Sequence, residues 1–256
     1  MIGLLRQRDF RLLWVGETTS KLGSAVTMVA LPLVAVISLH ANTFTVSALE
    51  AAAWLPWLLI GLPAGAWVDR LPRRAVMITC DVLSAVLFAS VPIAAWLGWL
   101  SIGQLLAVAL LTGVCTVFFQ TSYQVYLPTV VRESELTEAN AKLLGSESAG
   151  QVVGPGLGGL LAQLFGAVFG LLVDALSFVV SAFCLLRIRA SEALPAKEKR
   201  APLHREIGEG LRFVFHDPYL RTLVIYAGAS NLVSNGFMAV MVPFLVRDIG
   251  LAPGLV

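Results

Sequence analysis

Apolar residues gather in seven long stretches, near residues 12–38, 44–68, 75–97, 101–126, 142–163, 167–187 and 221–246. A helix needs about 20 predominantly apolar residues to cross a bilayer, and each stretch reaches that length. Ser101 to Leu127 holds no charged residue, and neither does Thr222 to Val246. Between Ser148 and Leu186 the only charge is Asp174. Those residues are too many for one helix, so the pattern predicts a hairpin that turns near Phe165-Gly166-Ala167. The whole reads as an all-α integral membrane protein.

Polar residues divide the spans unevenly. Six spans follow one another through short loops, then a charged connection covers about 188–218, then a new span begins. This predicts an N-terminal bundle over 1–187, a linker over 188–218 and the first span of a second bundle over 219–256. Ala190 to Ala201 is polar and contains Pro195. Beyond it Leu203, Ile207, Leu211 and Val214 recur at helical spacing, opposite Arg205, Glu206, Glu209 and Arg212. Such a stripe fits a helix lying in the cytoplasmic interface or a short soluble helix tucked beneath the bundle. The chain stops soon after span seven, at Gly250 to Val256, which reads as a truncated twelve-span layout.

Charge gives the orientation. Of the 18 basic residues, 16 lie before span one, in the 2–3 and 4–5 connections or in the 6–7 linker. The alternate loops near 39–43, 98–100 and 164–166 hold none. Basic loops face the cytoplasm, so the N-terminus, Arg73 and Lys199 are expected inside, and His40 and Trp99 outside. A basic start before an apolar run also resembles a signal peptide. However, span one is too long for such a segment and further spans follow. Composition agrees: 57% of residues are hydrophobic and 13% charged, against about 25% charged in soluble domains, with a mean hydropathy of +0.82. A net charge of +2 points to no nucleic acid. Cys80, Cys115 and Cys184 are widely separated within apolar segments and read as small packing residues, without disulfide or metal-ligand spacing.

One stretch breaks the rules of soluble helices. Gly150-Gln151-Val152-Val153-Gly154-Pro155-Gly156-Leu157-Gly158-Gly159 sits inside an apolar span. Gly150, Gly154 and Gly158 fall on one helix face, which in a membrane permits close helix approach. Pro155 removes one backbone hydrogen bond and predicts a bend. Such a face is expected to meet the second bundle and to belong to a moving part.

The 2–3 loop reads Gly65-Ala66-Trp67-Val68-Asp69-Arg70-Leu71-Pro72-Arg73-Arg74, and this resembles the loop signature of the major facilitator superfamily. The Gly150 to Gly159 run is similar to the pattern of that superfamily's antiporters. Arg8-Asp9-Phe10-Arg11-Leu12-Leu13-Trp14, Ala30-Leu31-Pro32-Leu33 and Val173-Asp174-Ala175-Leu176-Ser177-Phe178 look like the branch of macrolide efflux and enterobactin exporters. The resemblance implies a six-helix N-terminal bundle of two three-helix repeats plus a seventh span. It also implies a plasma or inner membrane location and a missing C-terminal half as partner. In addition it implies a latch in which Asp69 and Arg73 contact helix ends of the opposite half, with Gly65 easing helix approach at the loop base. The plain alternative for Arg70, Arg73 and Arg74 is anchoring to lipid phosphates. Pro72 stands where many relatives carry glycine, span four lacks the arginine of many drug–proton antiporters, and Ser84 and Ser24 replace charged residues. Proton coupling is therefore not carried over motif by motif.

Charges within spans are costly and mark functional sites. The candidates are Glu17, Lys21, Glu50, Asp81, Glu147 and Asp174, as proton carriers or cavity charges. Glu17 and Lys21 are spaced as an intrahelical pair, or Lys21 reaches the interface with Glu17 satisfying it. Asp81 fits coupling or structural anchoring. Gln120, Ser122, Tyr123 and Gln124 either line a cavity or pair between helices. His40, His204 and His216 fall in loops or the linker. The expected function is a secondary transporter exporting a small, partly apolar molecule across the lipid bilayer, with protons as the coupling ion and no cofactor. The alternative is a non-transporting receptor or scaffold retaining the fold. An enzyme is disfavoured because the spans hold no paired catalytic motif, and no ATP-binding motif occurs.

Overall fold

The structure, a computed structural model, describes residues 3–190, 192, 208 and 212–247, with the backbone alone at 232 and 234–247. The expected linker stripe of Leu203, Ile207 and Leu211, the position of Lys199 and the closing Gly250 to Val256 lie outside the described residues. Every long element is a helix: α1 (Arg8–Leu39), α2 (Thr43–Val68), α3 (Arg73–Trp96), α4 (Ile102–Val130), α5 (Leu136–Phe165), α6 (Ala167–Arg187) and α7 (Pro218–Arg247). The chain divides into two units, Met1–Lys199 with α1–α6 and Arg200–Val256 with α7.

Local chemistry sets the helix ends. Asn42 and Ser101 cap α2 and α4 by accepting from the backbone N–H groups of Thr45 and Gln104, which satisfies donors that a helix start leaves open. Gly166 adopts φ +87° between α5 and α6, a conformation disfavoured for residues with a Cβ, so the hairpin turns at one residue. Helices α1, α4 and α5 begin several residues before, or end several after, the apolar stretches, because polar turns extend them beyond the hydrocarbon.

Among the described residues, five helices are long and apolar enough to cross a membrane: α1, α2, α3, α4 and α6. For α5 this departs from the expected apolar span. Helix α5 has the length, at 30 residues, but its glycines, glutamines and Pro155 dilute its apolar content.

Within the first unit α1 packs on α6 and α5, α4 packs on α3 and α2, and α3 packs on α6. Exchanging α1–α3 with α4–α6 returns these main pairings, as two three-helix repeats would, whereas the lesser α5–α6 contact has no comparable α2–α3 counterpart among the described residues. Along these helices the core alternates. One apolar cluster includes Val34, Leu49, Val91, Leu105 and Leu171. Another, toward the opposite end, includes Phe10, Leu13, Met77, Tyr126 and Leu185. Polar residues occupy the level between them on α1, α3 and α4.

Candidate functional site

The polar level encloses a cavity of about 180 Å³ walled by α1, α3, α4 and α6. Glu17, Ser20, Lys21 and Ser24 face it from α1 at intervals of three and four residues, the spacing of one helix face. Cys80, Asp81 and Ser84 face it from α3, Cys115, Thr116, Phe119 and Gln120 from α4, and Phe178 from α6. A second cavity of about 370 Å³ shares Glu17, Lys21 and Gln120 with the first and adds Tyr123, Gln124, Asn140, Ser146 and Glu147. Gln120, Tyr123 and Gln124 therefore line cavities, whereas Ser122 is fully buried away from both.

Lys21 lies between two carboxylates, 3.4 Å from Glu147 and 3.9 Å from Glu17. Glu17 is buried while Glu147 is half exposed. The intrahelical pair expected from spacing is present, and it reaches across to α5, where Thr18 also donates to Ser146 at 3.0 Å. Asp81 is 1% exposed, and its Oδ2 has no hydrogen-bond partner. Cys80 and Cys115, far apart in sequence, share this cavity wall as free thiols. Sequence spacing carried no signal of that pairing.

Two other candidates lie elsewhere. Asp174 is buried in the α1–α6 contact, where Thr27 and Ser177 donate to it at 2.6 and 3.0 Å. Glu50 sits on an exposed face of α2 and lines neither cavity. Its helix turns Leu49 and Pro56 inward instead.

The glycine face needs a correction. Gly150, Gly154 and Gly158 meet α1 of the same bundle, not a second bundle. A Cβ at Gly154 would collide with Ala25, and one at Gly158 would lie 3.0 Å from the Val26 carbonyl oxygen. Gly159 points to open space and Pro155 is half-buried. The outward face of α5 instead presents Val152, Val153, Leu160 and Leu164. A Cβ at Gly65 would meet nothing within 4 Å, so among the described residues no helix packs against it.

At the end of the bundle carrying the basic connections, the loop signature forms a knot. Arg73 lies 3.7 Å from Asp69 and 3.3 Å from Glu192. The Glu192 carboxylate accepts from the Arg73 and Arg74 backbone N–H groups at 2.9 and 3.3 Å, capping α3. The Arg74 guanidinium donates to the Leu185 and Leu186 carbonyls at 2.9 and 2.8 Å, closing the C-terminus of α6. Arg70 is exposed. Asp9 accepts from the Arg189 N–H, and Gln7 donates to both oxygens of Glu135. The Gln7 bond, and after it the Arg132 N–H and charge, hold the Glu135 carboxyl below the usual carboxylate range. Glu192 lies in a polar stretch with no periodicity, and sequence reading missed it.

Comparison with known proteins agrees with this architecture. The family model described as transmembrane secretion effector matches residues 2–252. A multidrug efflux pump, Tap, of Mycolicibacterium fortuitum is 32% identical over 225 residues, which cover 85% of this chain and 54% of that protein. The Tap of Mycobacterium tuberculosis strain H37Rv is 29% identical over 214 residues, covering 78% and 49%. Macrolide efflux protein A of Streptococcus pyogenes is 23% identical over 220 residues, covering 84% and 53%. The chain thus spans about half the length of the curated relatives it matches.

Proposed function

The chain belongs to the transmembrane secretion effector family of major facilitator proteins, and from that premise we propose that it serves proton-coupled efflux of a small, partly apolar molecule. The observation that carries this reading is the Lys21 bridge between Glu17 and Glu147 at the junction of two cavities in an otherwise apolar bundle. Ionisable groups at such depth are costly, pair with one another, and mark substrate or proton pathways. A proton arriving on Glu17 cancels its attraction for Lys21 and leaves Lys21 to Glu147, which changes the tie between α1 and α5. That is a local event able to bias two arrangements of the bundle.

Residues 1–187 act in this proposal as one half of an alternating-access transporter, 188–218 as the connection, and 219–256 as the opening of the second half. The relatives' greater length supports this division. The N-terminus faces the cytoplasm, supported by the basic residues gathered at one end. Asp69 and Arg73 form the latch there. Arg73 ties the 2–3 loop to Glu192 at the start of the connection, which suits a part that transmits movement. Close packing of the α5 glycines on α1 lets that pair slide without interlocking side chains.

Everted membrane vesicles from bacteria producing the protein together with its proposed C-terminal half test the reading. Macrolide accumulation is expected on acidifying the lumen, with loss on adding a protonophore and in Glu17→Gln. Accumulation that ignores the protonophore overturns proton coupling, and macrolide binding without accumulation favours the non-transporting receptor. Cysteine labelling from outside intact cells tests the topology: positions 40 and 99 label, and labelling at 73 overturns it.

A further inference from the structure

We propose that the inner cavity is a recognition site for an organic ammonium group, with Asp81 as its principal anchor. The proposal rests on the transport reading and adds the class of molecule carried. Three carboxylates face the two joined cavities, Glu17, Asp81 and Glu147, and one ammonium, Lys21. Among the described residues lining them there is no arginine or histidine. Lys21 is already committed to Glu147 and Glu17, which leaves Asp81 without a cation.

The Asp81 Oδ2 atom is buried, lacks a hydrogen-bond partner and belongs to a residue of the cavity wall. A buried polar atom without a partner is rare in folded proteins, and its cost is removed when a ligand supplies the missing positive charge. The remaining wall selects the kind of cation. Phe119 and Phe178 bring aromatic rings to the same cavity, and aromatic faces attract alkylammonium groups. Ser20, Ser24, Ser84, Thr116 and Gln120 add neutral oxygens to the wall. Among the described residues, however, no three His, Cys, Asp or Glu side chains converge as a metal ion's ligands would, so an alkylated nitrogen suits the site better.

Size divides the ligand. Drug-sized molecules occupy pockets of about 300–1,000 Å³, so the 180 Å³ inner cavity takes only a head group. The larger cavity beyond Glu17 and Gln120 receives the rest, against Tyr123 and Leu144. The geometry therefore favours an amine with an apolar body over a neutral or anionic one.

The native cysteines report on the site without any transport assay. Cys80 and Cys115 line the cavity, whereas Cys184 does not. The purified 256-residue chain in lipid nanodiscs is alkylated with uncharged N-ethylmaleimide, and each cysteine is followed by mass spectrometry. The probe is benzyltrimethylammonium, a fixed cation, beside its uncharged carbon isostere neopentylbenzene and beside sodium chloride. Saturating ammonium is expected to slow alkylation of Cys80 and Cys115 at least tenfold, while the isostere and sodium do not. Asp81→Asn is expected to abolish the protection, and Asp81→Glu to retain part of it with Cys184 still slow, which shows that the fold survives substitution there. Equal protection by the isostere, equal protection by sodium, or protection surviving in Asp81→Asn overturns the proposal. Thiols that never react without ligand overturn it too, since the cavity is then closed to solutes. Should vesicles show no transport while protection holds, the efflux reading fails and the ammonium site stands.

Discussion

Thr27 on α1 donates a 2.6 Å hydrogen bond to Asp174 on α6, buried within the six-helix bundle. Ser177, one turn along α6, donates to the same carboxylate. Asp174 and Ser177 occupy the space that a side chain at Gly23 would need, since a Cβ there would collide with both. Glycine at 23 and the acid at 174 thus form one unit. Thr27→Val removes the nearest donor and leaves a buried acceptor short of a partner, a loss of about 1–3 kcal/mol. Thermal unfolding of the detergent-solubilised protein should show a lower midpoint, while Thr45→Val, at an exposed cap, should change it less. Equal effects of the two would refute a special role for the Asp174 contact.

The two faces of α5 predict opposite responses to the same substitution. Gly154→Leu drives a side chain into Ala25 on α1, whereas Gly159→Leu enters open space. Leucine is the better helix former at either position, by somewhat less than about 1 kcal/mol. Export is expected to be lost in the first and kept in the second, with both proteins inserted in the membrane. Transport at the wild-type rate in Gly154→Leu would disprove tight α1–α5 packing.

Glu192 should matter although it lies outside every helix. Its carboxylate caps α3 through two backbone N–H groups and pairs with Arg73. Glu192→Ala is expected to cost about 0.5–2 kcal/mol, the range for losing a helix cap. Hydrogen exchange should quicken at the first turn of α3 while the middle of that helix stays protected. Unchanged exchange at Arg73 and Arg74 would refute the capping role.

A pH test sits at the other side of the same end. The Glu135 carboxyl is held below its ordinary range by Gln7, then by the Arg132 backbone N–H and charge. A carboxyl whose pKa is lowered by folding gives stability present at neutral pH and lost as pH falls through the folded value. Gln7→Leu should therefore move the Glu135 titration upward, read by carbonyl carbon NMR of the protein in micelles. An unmoved titration would refute the bond as the cause.

Much of the fold was legible in the apolar pattern, because lipid requires each crossing segment to satisfy its own backbone groups. The approximate helix positions and a hairpin near Phe165-Gly166-Ala167 follow from that requirement, whereas the polar turns that extend α1, α4 and α5 do not. Which face of a helix meets which neighbour does not. The glycine spacing on α5 announced close packing but not its partner, and α1 supplied it. Glu17 and Lys21 showed as a pair through local spacing, whereas the third member, Glu147, is 126 residues from Lys21. Cys80 and Cys115 converge through the packing of α3 on α4, a relation no local pattern records. Glu50 looked equivalent to the other acids until its exposed position on α2 separated it.

The exchange of partners between the two helix triplets also governs how the protein is made. Within α1–α3 the contacts are slight, while the main partners of all three arrive later as α4, α5 and α6. A ribosome delivers the first triplet to the membrane well before those partners exist. During that interval Glu17, Lys21 and Asp81 lack the α4 and α6 walls that later enclose them. Biogenesis of this bundle thus calls for an insertase or chaperone able to shelter polar helices until the second triplet arrives, and cells short of such a factor should degrade the early product.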